Sequence, residues 1–86
     1  MKTADNDREY VEGQYEANLE SLNYWRGKLG AWNRRSPRYR ISIDGIREKD
    51  TIDSQISEFE WWAKHYSHAL KIFEIEDSAD DQEERL

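Results

Sequence analysis

The chain has 86 residues, no cysteine, 37% charged side chains and a formal net charge of −6. That length predicts a single domain with a small core, and the missing cysteine excludes disulfides and thiolate metal sites. The longest apolar run, Trp61 to Ala63, is far short of the roughly 20 residues of a membrane span, so no membrane partner is expected.

Met1 to Asp7 lacks the apolar middle of a signal peptide, which predicts a cytoplasmic protein. From there Val11, Tyr15, Asn18, Leu22, Trp25, Leu29 and Trp32 recur at spacings of four and three, so they share one stripe of a helix from about Asp7 to Arg34. Residues 1 to 25 hold two basic and six acidic side chains. The helix thus starts acidic and ends on Arg26, Lys28, Arg34 and Arg35, the polarity its dipole favours. Gly13, Gly27 and Gly30 interrupt it, each at a cost of about 1 kcal/mol against alanine unless it serves close packing.

Pro37 ends the pattern, because the residue before a proline avoids helical geometry. The connection 35–50 is long for a bundle, which implies structure or a task. Tyr39, Ile41 and Ile43 alternate with Arg38, Arg40 and Ser42 before Asp44-Gly45, the pattern of a short strand and a turn. Such a strand would pair with its copy in a second subunit or lie extended over the hairpin end. Residues 26 to 49 carry eight basic side chains and two acidic ones.

A second stripe, Ile52, Ile56, Phe59, Ala63, Tyr66, Leu70 and Phe73, predicts a helix from about Thr51 to Glu76, capped by Asp50 or Thr51. Residues 50 to 86 carry three basic and eleven acidic side chains, and the polar stretch 77–86 reads as a disordered tail. The expected fold is therefore mainly α, a two-helix antiparallel hairpin occupying 1–76. Its two stripes can be paired layer by layer, from Trp32 on Ile52, through Trp25 on Phe59 and Asn18 on Tyr66, to Val11 on Phe73. In that register the Tyr66 hydroxyl would satisfy Asn18, and a buried asparagine of this kind fixes register. Periodicity leaves open whether the helices pair within one chain or are exchanged between two.

Apolar side chains also occupy the far faces. Trp61, His65, His68, Ile72 and Ile75 form a second stripe on the later helix, while Tyr10, Ala17, Tyr24 and Ala31 recur every seven residues on the earlier one. Two helices cannot cover both of their own faces, so the expectation is a homodimer forming a four-helix bundle, or a higher oligomer. Trp61, His65, His68, Ile72, Ile75 and Tyr24 are the candidate partner-binding residues.

Catalytic motifs are missing: the chain has no nucleophile elbow, P-loop, dinucleotide fingerprint or HExxH, so no enzyme and no cofactor is expected. His65 and His68 share a helical face, yet a metal needs a third ligand and no nearby carboxylate supplies one, so no metal site is assigned. The primary expectation is a non-catalytic oligomeric adaptor or inhibitor that binds another macromolecule, most readily a protein. The alternative is nucleic-acid or small anionic nucleotide binding through the arginine-rich stretch, with Arg34, Arg35, Arg38 and Arg40 for phosphates and Trp32 and Tyr39 for stacking. An acidic chain overall weighs against that alternative, since backbone affinity for nucleic acid is mostly phosphate charge.

Overall fold

The computed structural model describes the backbone of residues 2–85 and the side chains of residues 6–76. Helix α1 runs Lys2–Asn33, a single helical turn α2 runs Pro37–Arg40, and α3 runs Ile43–Arg85. The two long helices pack antiparallel as a hairpin whose principal extents are 68 × 18 × 15 Å. Helix α3 continues over the stretch read as an acidic tail, whose side chains lie outside the described residues.

Every member of both periodic stripes is buried or half-buried, which is the packed seam of the hairpin. Among the described residues only Leu22, Ile52 and Asn18 are nearly inaccessible, along with Gly45. A two-helix rod has no third layer to close over its seam, so most of its apolar side chains keep one edge in water.

The connection departs from the expected strand. Ser36 accepts a hydrogen bond from the Tyr39 amide at 3.2 Å, and Pro37 takes the first helical position, so the chain starts a new helical turn at once. Ser42 then caps α3: its hydroxyl accepts from the Gly45 amide at 3.0 Å and donates to the Tyr39 carbonyl, while Asp44 sits in the acidic first turn. Tyr39 is therefore in α2 and Ile43 opens α3, and no strand occurs among the described residues. Asp50 and Thr51, expected as caps, lie inside α3. Arg34 and Arg35, expected in the last turn of the first helix, fall just beyond Asn33, bonded back to Ala31 and Trp32 by their amides.

The earlier start of α3 slides the pairing by one heptad. Trp32 meets Gly45 where the expected register put Ile52, and Asn18 meets Phe59 where it put Tyr66. The Asn18 amide nitrogen donates to the Phe59 carbonyl oxygen at 2.8 Å, so backbone rather than a tyrosine hydroxyl satisfies it. Trp25 and Ile52 border one groove between the helices, in the same register. Two heptad stripes fit each other in any register that differs by seven, and the short corner selects this one.

Gly45 is where the corner demands its residue. A Cβ at that position would collide with the Tyr39 carbonyl and lie 3.1 Å from the Arg40 Cα. The end of α2 can rest on the first turn of α3 only because that turn presents no side chain. Gly13 and Gly27 have nothing within 4 Å of such a Cβ, so they serve no close packing.

Candidate interaction surfaces

On α3, Trp61, His65, His68, Ile72 and Ile75 fall within an arc of about 80° at 100° per residue, opposite the side that faces α1. All five are exposed, Trp61 at 59% and Ile75 at 67%. The Trp61 and His65 rings stack with centroids 5.3 Å apart and planes 6° from parallel. Trp62 meets Trp61 edge-on at 4.8 Å and stacks on Tyr66 at 5.5 Å, so a continuous set of rings runs from the outer face round to the seam. Such stacking holds the aromatic side chains in place and lowers the entropy lost when another surface covers them.

The stripe extends farther towards the corner than sequence periodicity suggested. Ile43 is 70% exposed and in line with Trp61, Ile46 is 57% exposed and about 20° beyond the edge of the same arc, and Ile41 stands in the corner itself, also exposed. Reading residues 39 to 43 as a strand hid this, although Ile43 and Ile46 have helical spacing and Ser42 is a helix-start residue. Between the two apolar ends lie Arg47, Asp50, Ser54 and Ser57, all exposed.

Tyr24 belongs to a different surface. It is exposed on α1, edge-on to Trp25 at 5.3 Å, with the Lys28 ammonium 5.6 Å above its ring. It borders a groove of about 460 Å³ with Thr51 and Ile52, in the corner half of the hairpin, so it does not join the Trp61 stripe.

At the corner the arginine candidates come together, but with their aromatic neighbours already engaged. The Arg35 guanidinium lies 3.7 Å from the centre of the Tyr39 ring, and Tyr39 donates its hydroxyl to Glu48. That hydrogen bond, with some desolvation and the Glu48 charge, raises the Tyr39 pKa above its ordinary value of 10.0. Trp32 is half-buried, with its indole N–H donated to Gly45 and both Arg40 (5.9 Å) and Lys49 (5.5 Å) over its ring. Trp32 and Tyr39 thus make bonds within the corner itself. Arg34, Arg35 and Arg38 remain exposed, while the buried Nε of Arg40 has no hydrogen-bond partner among the described residues.

Charge is sorted along the rod. The corner is basic and both free ends are acidic, and the helices are tied across the seam by Arg26 to Glu60 at 3.2 Å. Among the described residues no group of three His, Asp or Glu side chains is placed to hold a metal, and no helix is long and apolar enough to cross a membrane. No protein family, no curated protein and no solved structure matches this chain.

Proposed function

We propose that this protein is a non-catalytic interaction protein that self-associates into a four-helix assembly and acts as an adaptor or inhibitor by binding another macromolecule. The observation that carries the reading is the imbalance of its apolar surface. Among the described residues only two apolar side chains, Leu22 and Ile52, are buried, while Trp61, Ile72, Ile75, Ile43 and Ile46 stand exposed along one face of α3. Burying apolar area is the main source of folding stability, and a short two-helix rod has little of it, so association supplies what the monomer lacks. Tyr10 and Tyr24, exposed on α1, remain for a target protein.

The arginine corner supports the second reading less well, because Arg35 lies over the Tyr39 ring and Trp32 is half-buried with its indole N–H bonded to Gly45. Phosphate contact without base stacking would be weak for an acidic chain.

Light scattering on the purified protein at low and high salt tests the proposal. The expected result is a dimer or larger species that persists at high salt and carries no nucleic acid, and that Trp61→Gln with Ile72→Gln converts to monomer. A monomer at every concentration and salt would overturn it.

A further inference from the structure

We propose that the partner of the α3 outer face is a second copy of this chain, running antiparallel, with Ile43 and Ile46 of one copy seated against Ile75 and Ile72 of the other. This rests on the self-association proposed above and goes beyond it by fixing direction and register.

The arrangement follows from where apolar and charged groups fall on one helix. The outer face of α3 is apolar at its two ends, with Arg47, Asp50, Ser54 and Ser57 between Ile46 and Trp61. Reversing the helix on itself so that the ends coincide brings Asp50 opposite His68 and Ser57 opposite Trp61. That register sets Lys71 level with Arg47 and Glu74 level with Asp44, so its charge complementarity lies between the basic corner of one copy and the acidic far end of the other. Every large exposed apolar side chain of the face is covered, and the pattern closes as a two-fold dimer, in which the same patch serves both copies.

The charge sorted along the rod favours the antiparallel direction. A parallel pair would set the basic corner, with eight cations against two carboxylates over residues 26 to 49, on its own copy. An antiparallel pair centred farther along, on His68, would leave Ile43 and Ile46 uncovered. It would also lay the acidic stretch 77–85 of α3 beside Asp53, Glu58 and Glu60. In the proposed register the same acidic stretch reaches the partner's arginine corner, where Arg38 is exposed. Because the outer face is opposite the seam, the four helices lie in a row with the α3 pair at its centre.

The absence of native cysteine makes the test direct. Single variants Ile43→Cys and Ile75→Cys are mixed, allowed to exchange and oxidised under mild conditions. A mixed disulfide dominating over the two symmetric ones is expected. Within one chain the two positions are about 48 Å apart at 1.5 Å per residue, so the link can form only between copies. As a second measurement that removes no apolar contact, Arg47→Cys carrying a spin label should report a label pair about 36 Å apart along the axis, against about 10 Å in a parallel pair. A dimer giving symmetric disulfides, or the short label distance, overturns this pairing while leaving self-association intact. A monomer overturns both.

Discussion

The indole Nε1 of Trp32 donates to the carbonyl oxygen of Gly45 at 2.9 Å, tying the last turn of α1 to the first turn of α3. This bond and the bare Cα of Gly45 fix how closely the chain can double back, and so which heptads face each other. Gly45→Ala is expected to lose about 2–3 kcal/mol, because the added methyl meets backbone that cannot yield. Trp32→Phe, which removes the hydrogen bond and keeps most of the ring, is expected to lose about 1 kcal/mol. Urea unfolding followed by circular dichroism at one fixed protein concentration checks both, since association couples stability to concentration. A Gly45→Ala protein as stable as wild type would show that the corner is not as tight as the geometry says.

Gly13 and Gly27 face open space inside α1. Each lowers helix stability without a packing role, so Gly13→Ala and Gly27→Ala should each raise stability by roughly 0.5–1 kcal/mol, nearly additively for sites this far apart. Thermal melts read the gain directly, and a drop at either site would mean that the glycine is held there by an interaction with another chain.

The Tyr39 hydroxyl, bonded to Glu48, titrates above its ordinary value in the folded protein. Between the unfolded and the folded pKa, the unfolded chain releases this proton while the folded chain keeps it. The contribution is therefore complete below about pH 10 and is lost as pH rises through the folded pKa. Melting temperature measured from pH 8 to 11 should fall more steeply above about pH 10 in wild type than in Tyr39→Phe. Equal slopes would remove Tyr39 as the cause.

Asn18 is a buried polar residue in an otherwise apolar seam, and its amide reaches the Phe59 carbonyl. That carbonyl keeps its own helical bond, so losing Asn18 leaves no orphaned acceptor. Asn18→Ala should cost about 1–2 kcal/mol through the lost bond and packing, and Asn18→Leu should recover most of it by filling the space with apolar volume. Denaturant unfolding of the two variants checks this, and an alanine variant equal to wild type would mean that the bond contributes nothing net.

The sequence by itself determined that the chain makes two long helices and which face of each is packed. Four-three spacing is a local property, and all seven positions of each stripe, from Val11 to Trp32 and from Ile52 to Phe73, lie in the seam. The outer stripe of α3 from Trp61 to Ile75 was legible for the same reason. Register was not, because a heptad pattern repeats every seven residues and is indifferent to a slip of one repeat. That choice belongs to the corner, where Ser36-Pro37 and Ser42 start helices on either side of Ile41 and set Gly45 under Trp32. Reading Tyr39, Ile41 and Ile43 as a strand weighed two-residue alternation above those capping signals, and it hid Ile43 and Ile46 as part of the outer face. Only the tertiary structure, by packing α2 onto the first turn of α3, decided where the second helix begins, what Asn18 bonds to, and that the rings of Trp32 and Tyr39 are used within the fold.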